Sequence, residues 1–266
     1  MSYRNFFGFA REPFAQDMRV EDLFPLTALS GVNERIRFAL DLGAATVITG
    51  EVGAGKSTSL RYAASRLHPS KYKIIPVIAN NGTPMELYRQ IGLALNVETR
   101  SPSLTTVIKT VRAVLTEITL RKEIPVLIID EAHLMRLEVF GQLHTLVQFD
   151  FDSKPLVPLV MAGHNSLLDK LLYHTSRPLA SRVVGKSHLQ GLTLKEMHAY
   201  LKHHLEVGGI KEQLFSDEAI LCIHQGSGGL LRQANLLARG ALVAAAKEKL
   251  PVVSAEHVRV ASTEII

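Results

Sequence analysis

The chain has 266 residues, 47% hydrophobic and 21% charged, enough for one or two globular domains with a proper core. A single cysteine, Cys222, excludes a disulfide framework, and no apolar run approaches the length of a membrane-spanning helix. Thirty lysines and arginines against 25 acids give a formal charge of +5, with a sequence pI near 9.3, which favours an anionic partner, nucleic acid first. Met1 to Asn5 lacks the apolar segment of a signal peptide, so a soluble, cytoplasmic protein is expected.

In chain order, residues 1–30 form an aromatic, turn-rich arm containing Phe9, Pro13 and Phe14, with no helical period. Either a packed arm or a clamp over the core fits this composition. Val32 to Leu42 reads as a helix, with Ile36, Ala39 and Leu40 on one face. Ala45 to Thr49 is a short, β-branched run of the kind found in buried parallel strands.

Gly50-Glu51-Val52-Gly53-Ala54-Gly55-Lys56-Ser57 follows and fits the phosphate-loop pattern G-x-x-x-x-G-K-[ST]. From Thr58 onward the spacing becomes helical. Strand, glycine loop and helix are the context this motif needs. The glycines let backbone N–H groups turn toward a phosphate chain, and the helix N-terminus adds positive potential. Lys56 is expected on the β- and γ-phosphates of a nucleoside triphosphate and Ser57 on Mg²⁺, with Glu51, Val52, Ala54 and Thr58 completing the cradle.

Tyr72 to Ala79 is a second strand, and Pro76 within it points to an edge position. Asn80-Asn81-Gly82 is a turn, and Thr83-Pro84-Met85-Glu86 opens a helix with a capping box. After a polar link, Leu104 to Arg121 forms another helix, with Lys109 and Arg112 on its polar side. Pro125 to Glu131 is a proline followed by four apolar residues and two acids, the pattern of a buried strand that delivers carboxylates to its C-terminal edge. Asp130 is expected to hold the Mg²⁺ shell and Glu131 to accept a proton from the attacking water. Leu156 to Gly163 reads as a fourth strand ending at His164 and Asn165, either of which could sense the terminal phosphate or serve as a turn. Ser187 to Leu192 is a fifth. Beyond it the chain is all helical, and the His198, Lys202 and His203 face of the next helix reads as solvated. The expected organisation is an arm at 1–30, an α/β domain at 31–192 and a helical lid at 193–266.

These motifs in this order resemble an AAA+ ATPase: a P-loop NTPase with a five-stranded parallel sheet sandwiched by helices and a C-terminal all-helical lid. Phe7-Gly8-Phe9 with Pro13-Phe14, Thr49 to Ser57 and Leu127 to Ala132 look like the ExeA-type group. The resemblance implies a phosphate-sensing role for His164 or Asn165. It also implies an arginine finger reaching a neighbouring subunit, from Arg182 or, as runner-up, Arg177. Arg232, in Gly229-Leu230-Leu231-Arg232, takes the place of a lid arginine, although Leu231 stands where the family has proline. Phe9, Pro13 and Phe14 are implied near the adenine.

Two branches share such a module. In the ExeA secretion type it precedes a transmembrane helix and a peptidoglycan-binding domain. This sequence ends without either, so it looks more like the transposition helper ATPases of the TniB, TnsC, IstB and MuB kind. That branch implies a homo-oligomer, ring or filament, assembled on double-stranded DNA beside a transposase and away from membranes. Its DNA contacts would fall on Asn80, Asn81, Thr83, Arg89, Thr99, Arg100, Lys109 and Arg112, through phosphate neutralisation and backbone hydrogen bonds.

Overall fold

The computed structural model describes residues 2–150 and 153–264. They fall into two compact units. One comprises Thr27–Gly50 and Lys56–Leu189; the other comprises Met1–Leu26, Glu51–Gly55 and Gln190–Ile266.

The first unit is built on a five-stranded parallel sheet. In chain order its elements are α2 (Thr27–Leu42), β1 (Ala45–Gly50), α3 (Lys56–Ser65), β2 (Tyr72–Ile78), α4 (Pro84–Ala94), α5 (Leu104–Leu120), β3 (Ile124–Asp130), α6 (Leu137–Val147), β4 (Leu159–Gly163), α7 (Ser166–Leu172), α8 (Arg177–Ala180) and β5 (Val183–Leu189). The strand order is β2-β3-β4-β1-β5. All pairings are parallel, so every strand ends on the same edge of the sheet. β1 is buried at all six positions, as the helices on both faces of a parallel sheet require.

Its two threonines are still satisfied. Thr46 Oγ1 donates to Gly185 O at 3.0 Å and Thr49 Oγ1 to Ser187 O at 3.4 Å. One apolar cluster joins β1 to β4 with α4, α5 and α6 through Val47, Ile75, Tyr88, Val111, Leu127 and Phe140. On the other side α2 runs beside α3 and contacts β1 and β5.

β2 lies at the sheet edge, where the missing N–H of Pro76 costs no ladder bond. Two strands differ from their sequence-based bounds. β4 begins at Leu159 because Pro155 and Pro158 interrupt the run before it. β5 lies at Val183–Leu189, four residues before the expected start. Leu192 has already left the sheet, and its N–H donates to Gly229 O at 2.8 Å.

The second unit holds α1 (Tyr3–Phe7), α9 (Leu194–Val207), α10 (Asp217–Ser227), α11 (Leu231–Lys247) and α12 (Ala255–Thr263). The arm, which shows no period in sequence, starts with one short helix closed by Gly8 in the left-handed conformation. The arm shares a core with the four C-terminal helices: Phe9 and Phe14 pack with Leu201, Phe215, Leu237 and Leu242. Glu12 fixes it further by accepting from the Tyr3 hydroxyl and from Arg239 Nε, the latter at 3.1 Å.

The arm also corrects the expectation of a solvated histidine face on α9. His203 Nε2 bonds Asp22 O at 2.8 Å, and its ring packs edge-on against Phe24. His204 is 4% exposed, stacks on Phe14 and donates from Nδ1 to Pro13 O at 2.7 Å.

Burial pushes the His204 imidazole down from its ordinary 6.5 to about 4, more than the Pro13 carbonyl raises it. Between those two values the unfolded chain binds the extra proton, so stability falls as pH drops through that window and is level above it. The expected loss is about 3 kcal/mol between neutral pH and pH 4. Urea midpoints measured across this range should show the slope, and His204→Asn, which keeps a donor for Pro13, should flatten it. An unchanged slope in that variant would assign the acid sensitivity elsewhere.

Candidate nucleotide site

The parallel topology gathers Gly50, Asp130, Glu131 and His164 at one sheet edge. β1 ends at Gly50, β3 at Asp130 and β4 at Gly163. Thr49 pairs with Gly163 and Ile129 with Met161. Continuing that register sets Glu131 level with Gly163 and Thr49, one residue before Gly50. Because β4 lies between β3 and β1, the acidic strand end is two strand spacings, about 10 Å, from the start of the phosphate loop. His164 sits at the tip between them.

Lys56 opens α3 and is only 7% exposed, and its Nζ donates to Gly50 O at 2.9 Å. The ammonium is thus held at the C-terminal end of β1. A phosphate oxygen, being charged, is a stronger acceptor than that carbonyl and can replace it. Ser57 is exposed on the first turn of α3, and Thr58 is half-buried behind it.

Within the other unit, the crown of the loop, Glu51–Gly55, is a tight turn in which Ala54 N–H donates to Glu51 O at 3.1 Å. Gly53 and Gly55 have φ of +86° and +96°, which side chains disfavour. Val52 is 65% exposed, and Ala54 is buried. The same unit supplies Arg232, at the start of α11, whose N–H donates to Gly53 O at 3.2 Å. A Cβ at Gly53 would lie 2.9 Å from Arg232 Cβ, and one at Gly55 3.0 Å from Leu231 Cδ1. The Gly229-Leu230-Leu231-Arg232 turn therefore reaches the loop crown with leucine in place of proline.

At the acidic end, Asp130 Oδ1 accepts the N–H of Glu131 at 2.8 Å. Glu131 adopts φ +53°, ψ +30°, a left-handed conformation that costs a non-glycine residue roughly 1–2 kcal/mol. Such strain persists where surrounding structure enforces it. Here a short 3₁₀ turn, Ala132–Leu134, does so. Lys170 on α7 clamps that turn, with Nζ donating to His133 O at 2.5 Å and Met135 O at 2.7 Å. Burial lowers the Lys170 pKa.

His164 Nδ1 accepts Ser166 N–H at 3.4 Å, so its neutral ring carries the proton on Nε2. Asn165 is the residue before α7, in helical conformation, with its carbonyl accepting Leu168 N–H at 3.0 Å. Sequence reasoning missed His133 and Lys170. His133 is half-buried, with Nδ1 3.4 Å from Glu131 Oε2, and its ring is 6.0 Å from that of His164.

The other candidates lie elsewhere. Arg182 precedes β5 and its carbonyl accepts Ala45 N–H at 2.9 Å. That places it at the N-terminal edge of the sheet, opposite Lys56, with Nε donating to His144 Nδ1 at 3.2 Å. Arg177 opens α8 and is exposed. Phe9, Pro13 and Phe14 are buried in the core of the helical unit, Phe14 at 1% exposure.

Among the DNA candidates, Asn80, Asn81 and Thr83 follow β2 at the loop edge. Asn80 Oδ1 caps Gly82 N–H at 3.0 Å, Asn81 O accepts Arg136 Nε at 3.0 Å, and Thr83 forms the expected capping box with Glu86. Arg89 reaches Ser101 O at 3.4 Å, Thr99 packs on Gly92, Arg100 pairs with Glu98 at 2.6 Å, and Lys109 is exposed on α5. Arg112 differs: it donates to Thr145 O and Gln148 O at 2.6 and 2.7 Å and lies 4.2 Å above the Phe149 ring. Its guanidinium closes the C-terminus of α6, a structural role the polar helix face did not disclose.

Residues 41–171 match the family model described as AAA domain. General secretion pathway protein A of Aeromonas hydrophila is 28% identical over 245 residues, covering 91% of this chain and 45% of that protein. The chain therefore spans about half the length of that curated relative. Among solved structures, Cdc6p from Pyrobaculum aerophilum superposes with a TM-score of 0.77 at 17% identity, over 96% of this chain and 70% of that one.

The fold is that of the AAA+ P-loop ATPases. The same AAA+ architecture links the chain to the ORC1 protein of Aeropyrum pernix, solved in complex with DNA (TM-score 0.72, 19% identity, 97% and 70% covered). It extends to the RuvB Holliday junction branch migration motor of Thermotoga maritima (TM-score 0.56, 18% identity, 98% and 73% covered). No helix among the described residues is long and apolar enough to cross a membrane.

Proposed function

We propose that this AAA+ protein hydrolyses ATP in a site completed by a neighbouring copy, assembles as a ring or filament on double-stranded DNA, and regulates DNA transposition by recruiting or activating a transposase. The observation that carries the enzymatic part is the division of the sheet. Lys56, Asp130, Glu131 and His164 share one edge, whereas Arg182 lies on the opposite edge, roughly 20 Å away along the six-residue β1.

Each residue then has a defined task. Lys56 exchanges the Gly50 carbonyl for phosphate oxygens. The Ser57 hydroxyl and the Asp130 carboxylate are hard oxygen donors, which suit Mg²⁺. Phosphate and water oxygens would complete such a shell. An ion held by Ser57 and Asp130 would supply charge neutralisation at the β- and γ-phosphates. Glu131 accepts the proton of the attacking water, and His164 donates from Nε2 toward the terminal phosphate. Arg232, bonded to the loop crown, links the lid helix α11 to phosphate occupancy.

DNA as the client is supported by the net charge of +5 and by the transposition-helper resemblance. The segment after β2 offers Asn80, Asn81, Thr83, Arg89, Thr99, Arg100 and Lys109 as contacts. A second reading, an ExeA-type secretion-assembly ATPase, is favoured by the likeness to general secretion pathway protein A. Duplex-DNA binding measured with and without ATP over a salt series separates them. The transposition reading expects ATP-dependent binding whose affinity falls about 10³-fold or more between 50 and 200 mM salt, the signature of several phosphate contacts. Absence of ATP-dependent, salt-sensitive binding would overturn it in favour of the secretion reading.

A further inference from the structure

We propose that His133 is a positioning residue for Glu131, transmitting the placement of the β4 tip to the carboxylate that activates water. This rests on the hydrolytic reading of the site. Four observations meet at this side chain. Its Nδ1 is buried and has no hydrogen-bond partner, which is costly for a polar ring atom. That same atom lies 3.4 Å from Glu131 Oε2, near enough that a small rotation makes the bond, but outside hydrogen-bonding geometry as it stands. The Glu131 backbone is held in a left-handed turn, so the carboxylate swings on χ angles while its Cα stays fixed.

The fourth observation is the contact with β4. A Cβ at Gly163 would lie 2.9 Å from His133 N and 3.2 Å from His133 Nδ1. Only glycine lets the strand end approach this closely, and the next residue is His164. Behind the turn, Lys170 fixes the carbonyls of His133 and Met135, leaving the imidazole as the part able to move. A shift of His164 on meeting a phosphate therefore displaces Gly163 against His133. The imidazole then closes its Nδ1–H bond to Glu131 Oε2 and sets the carboxylate for its water. Without phosphate the bond stays open and the carboxylate is unaligned. His133 in this scheme touches neither nucleotide nor water.

Steady-state ATP hydrolysis and ATP affinity in His133→Leu, His133→Asn and His133→Gln test this. Asn places an amide near the Nδ1 position, Gln near Nε2, and Leu fills the space with no donor. We expect Leu and Gln to lower kcat roughly 10- to 100-fold, as a misaligned group does, with ATP affinity unchanged, and Asn to stay within a few-fold of the parent. Equal loss in all three variants, or no loss in Leu, overturns the inference. So does a fall in ATP affinity matching the fall in kcat, which marks a structural role. If Leu folds poorly, the cycle joining His133→Asn, His133→Gln and Glu131→Gln decides: the Gln defect should vanish once Glu131 is replaced, and additivity overturns the inference. An unmodified protein that hydrolyses no ATP would overturn the hydrolytic reading itself, and this inference with it.

Discussion

Replacing Glu131 with glutamine is expected to lower the rate of ATP hydrolysis by about 10²- to 10⁴-fold, the usual contribution of a positioned general base, while ATP still binds. The substitution keeps the size and most of the polarity of the side chain. The left-handed turn, the N–H bond to Asp130 Oδ1 and the Lys170 clamp all belong to the backbone or to other residues, so the fold of the acidic edge should persist. What glutamine cannot do is take the proton of the attacking water. Single-turnover phosphate release, measured beside equilibrium binding of a fluorescent ATP analogue, separates the two effects. Hydrolysis at the parent rate would remove Glu131 from the chemistry and leave the acid pair as a helix-capping feature.

The parts of this site that were legible in the sequence are those that local chemistry specifies. A β-branched run, three glycines and a Lys-Ser pair dictate strand, loop and helix within about a dozen residues. Pro76 marks an edge strand by the hydrogen bond it cannot make. Contacts between distant segments were not legible. His133 meets Gly163 only because β3 pairs with β4 in one particular register. Arg232 reaches Gly53, and His204 is sealed under Pro13 and Phe14, through packing between segments about 180 to 190 residues apart. Arg112 looked like a free surface charge because its acceptors, the terminal carbonyls of α6, carry no side-chain signature. Each of these depends on where the chain returns to itself, which composition and periodicity do not encode.

The position of Arg182 leads to the other large effect. Its carbonyl is bonded to Ala45, at the start of β1, whereas Lys56 follows the end of that strand. A six-residue strand separates them by roughly 20 Å, and an arginine side chain spans only about a third of that. Arg182 therefore cannot reach the Lys56 of its own chain, and any catalytic role has to be exerted on another copy.

Arg182→Ala is accordingly expected to lose hydrolysis by about 10³-fold or more, the range for arginine fingers, with ATP binding retained. Lys56→Ala should lose both. Neither variant alone is then active, but an equal mixture should recover activity. Wherever the intact Lys56 of one copy faces the intact Arg182 of the next, a complete site forms. In a randomly mixed head-to-tail assembly that is about one interface in four, so the mixture should reach roughly a quarter of the parent rate. The recovery should require concentrations at which the protein assembles. If Arg182→Ala hydrolyses ATP normally, the finger passes to Arg177, exposed at the start of α8, and the same mixing experiment with Arg177→Ala tests it. If both arginine variants are inactive and neither mixture recovers, the site is not shared, and the coupling of ATP to assembly fails with it.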